Sequence, residues 1–316
     1  MSASSKIIQA AAGSGGGGIS EPIVTTIDSW ENSPSENYTG YLTAVAFDSE
    51  NNVYVTGRAT ENISLWVMKL NADLEVQWSR YNSHANINNE SGSDLVVDST
   101  DSNLFVVGTK SDGEIDGTIS KFNTSDGTTA SQSTLTWSQT NRFYTVDVDD
   151  SGNPLVGGAV SSVGVVRKYS GVNLSDLVER KLDNGEGGTR NIFTLKYGSD
   201  GSIYAFISDF RRATVIKMNS AYNIQWKYEY EEGSVDTGNL ALDSSDNIYF
   251  VSHVQSTTKN VVMKLDPSDG SVTWQKTIDT GISDQGAGLD VNSDGEPLVR
   301  VGNFIFKMDT DGGEIW

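Results

Sequence analysis

The sequence predicts an all-β fold, and three observations lead to this prediction. Short runs rich in Val, Ile, Tyr, Phe and Thr recur along the chain, bounded by Gly, Asn, Asp and Ser, as is typical of strands and tight turns. No stretch has a convincing helical period. A unit that is clearest at residues 44–82 recurs five more times before the chain ends, so the fold has to be built from this unit.

Three anchors define the repeat. A turn-rich, mostly acidic start occurs every 45 to 51 residues, at Asp48, Asp98, Asp149, Gly198, Asp243 and Asn292. A lysine followed by an apolar or aromatic residue comes next, at Lys69, Lys121, Lys168, Lys217, Lys264 and Lys307. A tryptophan ends five copies, at Trp78, Trp137, Trp226, Trp274 and Trp316, and the third copy offers Leu177 and Val178 instead.

Each copy contains four strand-like runs, which in the first copy are residues 42–47, 53–56, 65–70 and 76–81. A single sheet of this kind is apolar on both faces, so it is stable only when neighbouring copies cover both faces in a ring. The sequence therefore predicts a β-propeller of four-stranded antiparallel blades, with six blades in the chain. A seventh blade stays possible, because residues 23–30 look like one more fourth strand.

The repeated lysine has a structural interpretation. Its aliphatic stem is expected to lie between blades while its ammonium group meets a carboxylate. The units also resemble bacterial β-propeller repeat families that read G-N-x-Y-V-T-G, then W-V-x-K-L-N, then Trp. The match is closest at residues 52–57 and 65–71 and extends over the repeats. This resemblance implies the fold and no particular activity, because propellers host many unrelated functions.

Composition excludes several classes of partner. The 316 residues include 22 Lys plus Arg and 42 Asp plus Glu, for a net charge of -20. Such a surface repels phosphate backbones and anionic lipid, so neither nucleic acid nor a membrane surface is an expected partner. The lack of cysteine excludes disulfides, thiolate catalysis and cysteine-ligated zinc. With no apolar run long enough to span a membrane, a soluble chain made without export is expected.

The first 20 residues differ from the rest. A small apolar hook, Ile7, Ile8, Gln9, Ala10, Ala11 and Ala12, precedes a glycine-rich linker at residues 13–18. The segment is either a frayed terminus or an anchoring arm. It resembles the opening of virion proteins of tailed bacteriophages, which implies an arm that binds other virion proteins. The predicted organisation is an arm at 1–20 and a propeller at 21–316.

Strand direction sorts the connections onto two faces of the predicted disc. Turns between first and second strands, and most of those between third and fourth strands, are short and share one face, which we call the short-turn face. The other connections are longer and differ between copies, as expected of a recognition surface. We call this the variable face, and its predicted partner-binding residues are His84, Asn86, Asn88 and Arg190. The arm is predicted to anchor the disc by the short-turn face.

Calcium is the one cofactor that the sequence suggests. Oxygen-bearing side chains alternate before a glycine in two turns, with candidate ligands Asp290, Asn292 and Asp294 in one and Asp147 and Asp149 in the other. Neither turn has the glutamate expected at position 12, and the alternative is that these side chains hydrogen-bond their own turns. The two histidines, His84 and His253, are in polar or turn-like surroundings without metal-ligand spacing. No acid stands out from its counterparts in other copies, so no catalytic residue is predicted.

These observations predict a non-enzymatic structural or adhesion protein of a virion, in a phage tail or fibre-like appendage. The arm would dock it into a larger assembly, and the propeller would present a surface for host recognition of a glycan or protein. Its expected location is the virion after synthesis in the host cytoplasm, or alternatively a soluble cytoplasmic or extracellular location. The alternative functions are a free-standing propeller that binds glycan or protein, and a propeller hydrolase or lyase.

Overall fold

The structure is a computed structural model that describes residues 40–59, 65–82, 90–111, 114–135, 140–182, 190–208, 212–230, 235–254, 257–281, 287–302 and 304–315. The chain divides into two units, Met1–Thr39 and Gly40–Trp316, and every described residue belongs to the second. The predicted arm and the strand-like run at 23–30 therefore lie outside the described residues. Within the described ranges, no helix is long and apolar enough to cross a membrane.

The described residues form 23 strands, each paired antiparallel with its sequence neighbours in one sheet. They are β1 (Gly40–Phe47), β2 (Val53–Ala59), β3 (Leu65–Leu70), β4 (Val76–Asn82), β5 (Glu90–Val97), β6 (Asn103–Ser111), β7 (Ile115–Asn123), β8 (Thr129–Leu135), β9 (Asn141–Val148), β10 (Pro154–Val160), β11 (Val163–Tyr169), β12 (Asp176–Leu182), β13 (Asn191–Tyr197), β14 (Ile203–Ser208), β15 (Ala213–Met218), β16 (Ile224–Tyr230), β17 (Val235–Leu242), β18 (Ile248–Val254), β19 (Lys259–Leu265), β20 (Val272–Asp279), β21 (Ala287–Val291), β22 (Pro297–Val301) and β23 (Phe304–Lys307).

Six sheets, numbered here as blades 1 to 6 in chain order, follow from this pairing. Blades 1 to 5 have four strands each, β1–β4 through β17–β20, and blade 6 has β21–β23 with one further bridge, Met308 to Glu314. The first strands of successive blades contact one another from β1 to β21, so they surround a common axis. The predicted all-β propeller with six blades is confirmed.

Tight acidic turns close the hairpin between the first and second strands. In blade 1, Asp48 Oδ1 accepts the backbone N–H groups of Glu50 (3.0 Å) and Asn52 (2.8 Å). Asn51 has a positive φ of 63°, which asparagine tolerates better than most residues. Asp98, Asp149 and Asp243 accept equivalent bonds in their own turns. The acidic start of these four copies is thus explained by turn chemistry.

The hydrophobic core consists of layers between adjacent blades. One layer joins Tyr204 and Phe206 of blade 4 to Phe250 and Met263 of blade 5, all fully buried. Equivalent layers join blades 1 and 2, 2 and 3, 3 and 4, and 5 and 6. Blades 1 to 5 therefore bury apolar side chains on both faces, as the sequence pattern requires.

The repeated lysine bridges adjacent blades. Lys69 Nζ lies 5.1 Å from the centre of the Tyr54 ring and 3.8 Å from Asp48 Oδ2, and it donates to the Thr124 carbonyl of blade 2 (3.4 Å). Lys217 in blade 4 repeats all three contacts with its own tyrosine, acid and neighbouring carbonyl. The prediction of a structural lysine that meets a carboxylate is confirmed for Lys69, Lys168, Lys217 and Lys307.

Each described anchor tryptophan packs on a glycine of the next blade. The indole N–H of Trp226 donates to the Pro267 carbonyl (3.1 Å), and Trp78 and Trp274 make equivalent bonds. A Cβ added to Gly270, which has a φ of +75°, would lie 2.6 Å from the Trp226 ring. Gly127 and Gly312 occupy the same place against Trp78 and Trp274. Glycine is required here both by its backbone conformation and by the ring above it.

Where a blade lacks this tryptophan, the next blade supplies a large side chain instead of glycine. Val178 lies opposite Lys168 in the β11–β12 register, where Trp78 lies opposite Lys69 in blade 1. The following turn carries Tyr222 at the positive-φ position, with only 8% of its surface exposed. The large turn residue therefore fills the space that the missing indole would occupy, because protein interiors are packed to crystal-like density.

The second blade shows the same exchange and corrects one prediction. Ser131 lies opposite Lys121, and Leu174 takes the positive-φ position of the next turn. The prediction that Trp137 is the blade 2 counterpart of Trp78 is wrong. Phe122 pairs with Thr129, so the turn is short and brings Ser131 into register. Trp137 lies outside the described residues.

We expect Gly270→Ala to be more destabilising than Gly201→Ala, although both glycines have a φ of +75°. Nothing lies within 4 Å of the Cβ added at Gly201, so that variant reports backbone strain alone, about 1 kcal/mol. The clash with Trp226 should add roughly 1–2 kcal/mol in Gly270→Ala. Urea unfolding measures both losses, and the excess should shrink in a Trp226→Ala background. Equal losses for the two glycines, or an excess unchanged by removing Trp226, would contradict this packing.

Candidate functional site

The inner edge of each blade requires hydrogen-bond acceptors. A first strand pairs with a second strand on one side only, so N–H groups on its other edge face the axis without a strand partner. Side chains of the preceding blade supply acceptors. Asp94 Oδ2 accepts the N–H of Val146 (3.0 Å), and Asp147 Oδ2 accepts the N–H of Tyr197 (2.7 Å). The axis is consequently lined with polar side chains.

Four charged side chains gather on this axis, and we call them the axial ring: Asp94 on β5, Asp147 on β9, Lys196 on β13 and Asp290 on β21. Burial lowers the pKa of Lys196, but the carboxylates of Asp147, Asp94 and Asp290 outweigh it, so this pKa lies above its usual value. In the described part of the chain, the Lys196 ammonium interacts with these carboxylates over a distance and not through a hydrogen bond. The raised pKa keeps Lys196 a protonated amine.

Asp94 is the most unusual acid of the ring. Burial raises its pKa above the usual value, although Lys196 and the N–H groups of Val146 and Leu95 act in the opposite direction. Both carboxylate oxygens accept a backbone hydrogen bond, at 3.0 Å from Val146 and 2.9 Å from Leu95. A carboxyl group that keeps its proton beyond the usual range can donate or accept a proton nearer neutral pH.

Asp290 is the exposed member of the ring. Its Oδ1 accepts the N–H of Val291, the next residue of its own strand, at 2.9 Å. Asp147, in contrast, is fixed by the bond to the next blade. The ring thus combines a raised-pKa acid, a fixed carboxylate, an ammonium group and an accessible carboxylate. This set can bind a cation and can hold or move a proton.

The calcium candidates are not brought together as oxygen cages. Asp149 Oδ1 accepts the N–H groups of Ser151 (3.0 Å) and Asn153 (2.8 Å), and Lys168 lies 2.6 Å from Oδ2. Burial raises the pKa of Asp149, but the bonds from Lys168 and Asn153 lower it further, below its usual value.

The second candidate turn is built in the same way. Asn292 Oδ1 accepts the N–H groups of Asp294 and Glu296. Asp147 and Asp290, the first member of each motif, belong instead to the axial ring. Among the described residues, no group of three or more His, Cys, Asp or Glu side chains is arranged to hold a metal ion.

Of the predicted partner-binding residues, only Arg190 is described. Its N–H donates to the Ser162 carbonyl (2.8 Å) beside the β10–β11 hairpin, at the end of the blade that forms the variable face. The hook residues Ile7 to Ala12 and the loop residues His84, Asn86 and Asn88 lie outside the described residues. His253 has the expected polar, turn-adjacent surroundings, because its Nε2 lies 3.2 Å from the Thr257 carbonyl oxygen, and it lies on β18 with 1% of its surface exposed.

The axial ring was missed by the sequence analysis, although a signal for it exists. The position two residues before each turn carries Ala46, Val96 and Ala241 in three blades but Asp147, Lys196 and Asp290 in the others. Two positions earlier, Asp94 stands where other blades have Ala, Thr, Asn or Gly. The statement that no acid stands out from its counterparts is therefore wrong. Blade-to-blade comparison of the first strands would have found the ring.

No protein-family model and no curated protein sequence matches this chain. Solved structures do match. The Dos1 propeller has a TM-score of 0.59 and 13% identity, over 88% of this chain and 71% of that chain. Streptogramin B lyase has a TM-score of 0.59 and 10% identity, over 86% and 81%. The periplasmic gluconolactonase of Pseudomonas aeruginosa has a TM-score of 0.56 and 13% identity, over 76% and 70%. At these identities the similarity shows the propeller fold alone.

The comparisons overturn one prediction. The chain was predicted to be non-enzymatic, because no acid stood out from its counterparts in the other copies. Two of the matched propellers are enzymes by name, a gluconolactonase and a lyase. The prediction of a non-enzymatic protein is therefore wrong, because the fold that the chain adopts includes catalytic members. Function has to be argued from the site and not from the fold.

We expect Lys196→Met to be destabilising in a pH-dependent manner. Without the ammonium group, the pKa of Asp94 in the folded protein rises further above its value in the unfolded chain. The folded state therefore loses stability as the pH rises from the unfolded pKa of Asp94 through its folded pKa. The loss should therefore be larger at pH 7.5 than at pH 4.5, by roughly 1–2 kcal/mol. Urea unfolding at the two pH values measures it. Lys276→Met, which removes an exposed lysine, is the control. A loss independent of pH would contradict the electrostatic coupling.

Proposed function

We propose that this protein is a ligand-binding propeller whose site is the axial ring, and that its ligand is a small organic cation. The observation that carries the proposal is the composition of the ring, with three carboxyl groups and one ammonium group. The ring is part of a chain whose net charge is -20, so the electrostatic potential at the axis favours cations and repels anions.

The members of the ring have different roles in this proposal. Asp290 is exposed and is the first carboxylate that an entering cation meets. Asp147 is held in place by the Tyr197 N–H and provides fixed negative charge at the equivalent position of blade 3. Lys196 is an ammonium donor beside these carboxylates, so it can bind an acceptor atom of the same ligand. A ligand with an amine and a hydroxyl or carbonyl oxygen satisfies all three.

Acid–base catalysis at the same ring is a second candidate function. The observation in its favour is the raised pKa of Asp94, which suits a proton donor or acceptor. The enzymes named among the matched propellers make a lactonase or lyase activity a reasonable first screen. Turnover that is lost in Asp94→Asn and kept in Asp73→Asn, an exposed turn acid, supports this candidate. Turnover unaffected by Asp94→Asn contradicts it.

We also propose that residues 1–20 attach the propeller to a virion, where the variable face meets a host surface glycan or protein. Support comes from the apolar hook at residues 7–12 and the glycine run after it, which resemble the opening of phage virion proteins. An adhesive propeller and a ligand-binding axis are compatible proposals, because they assign their roles to different residues.

The cation proposal predicts binding that depends on Asp290. Butylamine, putrescine and choline are the probes, and at least one should bind in isothermal titration calorimetry. Asp290→Asn should weaken that binding at least tenfold, because the accessible carboxylate is neutralised without a change of shape. Asp73→Asn is the matched control and should leave affinity unchanged. Added salt should weaken binding as well.

Two outcomes would contradict the cation proposal. The first is that none of the three probes binds at millimolar concentration. The second is that binding is unchanged in both Asp290→Asn and Asp147→Asn. Butyrate serves as the anionic counterpart of butylamine and should not bind. If butyrate binds and butylamine does not, Lys196 dominates the site and the assigned charge of the ligand is reversed.

Removal of the arm should separate attachment from folding. The tagged full chain and residues 21–316 would be produced in host cells during infection, and particles would be purified on a density gradient. We expect the tag in the particle fraction for the full chain only, with equal urea midpoints for the two proteins. Recovery of residues 21–316 with the particles would refute attachment by the arm.

A further inference from the structure

A second polar site lies inside blade 5, away from the axial ring. His253 on β18 and Asn260 on β19 are directly opposite each other in the strand register. His253 has 1% and Asn260 has 0% of its surface exposed. Facing residues of paired antiparallel strands have neighbouring side chains on the same side of the sheet. The two side chains therefore form one buried polar pair, which we call the His–Asn niche.

The hydrogen-bond requirements of the niche are unmet by the chain. His253 Nε2 lies 3.2 Å from the Thr257 carbonyl oxygen, which can only accept, so Nε2 carries the proton and Nδ1 presents a lone pair. His253 Nδ1, Asn260 Oδ1 and Asn260 Nδ2 are all buried without a hydrogen-bond partner. Buried polar groups in native proteins almost always have a partner. Three orphan atoms on adjacent side chains indicate a partner that is not part of the chain.

Blade 5 departs from its neighbours at this point. In blades 1 to 4 the first strand has its extra residue five positions before the turn, at Thr43, Ser93, Tyr144 and Phe193. In blade 5 the residue at that position, Gly238, is paired with Ser252, and the register irregularity lies between Val235 and Gly238, next to His253. Bulges often re-aim the backbone next to functional sites. The shift and the polar pair therefore coincide in one blade.

We propose that the His–Asn niche binds a neutral hydroxyl oxygen. Nδ1 and Oδ1 are acceptors, so they require a donor and disfavour an anion. Asn260 Nδ2 is a donor, so it requires a lone pair and disfavours a cation. A hydroxyl oxygen has both an O–H donor and lone pairs. Its source is either a buried water molecule or the hydroxyl group of a small polyol. This inference is independent of the cation proposal, because it involves other residues and a neutral ligand group.

Crystallography distinguishes the two sources. Crystals of the full chain grown without polyol should show, at better than 2 Å resolution, an oxygen within about 3.2 Å of Nδ1 and an Asn260 amide atom if water is the occupant. Crystals soaked in millimolar erythritol should show continuous carbon density from that oxygen if a polyol is the ligand. An empty niche in both crystals overturns the proposal. Density that appears only at molar polyol concentration means an adventitious additive only, and it overturns the proposal as well.

Substitutions test the same inference in solution. Asn260→Leu removes two of the orphan groups and leaves Nδ1 facing a leucine, so the urea midpoint should fall. His253→Phe combined with Asn260→Leu removes all three orphan atoms and leaves the partly exposed Thr257 carbonyl to bond water, so its midpoint should rise above that of Asn260→Leu. Nitrogen NMR of the wild-type chain should find the proton of His253 on Nε2. A double variant less stable than Asn260→Leu, or a proton on Nδ1, would refute the assignment.

Discussion

The contact between neighbouring blades is the constraint on which the rest of the structure depends. Tyr204 and Phe206 on one face of β14, and Ala205 on the other, are all fully buried, so this strand has no face left for solvent. Burial of a side chain such as Phe contributes about 1.5–3 kcal/mol only when the neighbouring sheet is present. A single blade would expose both faces, and a ring is the arrangement that gives every blade two neighbours.

The same constraint explains how the copies diverge without loss of packing. Trp226 packs on Gly270, whereas Val178 precedes a turn with Tyr222 at the equivalent position. Tyrosine at a positive φ is disfavoured by itself, at roughly 1–2 kcal/mol. Filling the space left by a missing indole offsets that strain, because an unfilled cavity would be more destabilising. Packing therefore constrains the pair across the blade boundary and not either residue alone.

Local sequence patterns made the fold predictable. The candidate site was not predictable, because it depends on contacts between residues of different copies. Strand runs, acidic turns and the lysine anchor are visible within one copy, and they correctly predicted the blades and a carboxylate partner for the lysine, which Lys69 finds in Asp48. Trp137 misled the alignment because an aromatic residue is a stronger signal than Ser131, whose place is set by the length of the preceding turn. The axial ring unites residues from four blades, and the burial of His253 depends on its neighbours in space, so neither relation is visible within one copy.

Some of the polar side chains on the axis are needed for the fold, and the charge of the axial ring goes beyond that need. The inner edge of a blade needs an acceptor for its N–H groups, and a neutral hydroxyl can supply one, since Thr145 Oγ1 accepts the Leu195 N–H at 3.3 Å. The charge of Asp94 is therefore not required for this bond, and its burial is unfavourable, as its raised pKa records. Lys196 offsets part of that unfavourable energy, yet it leaves the ring with more carboxyl groups than amines. Packing and edge capping alone do not account for this excess of charge, which is why the ring is the part of the propeller assigned to a ligand.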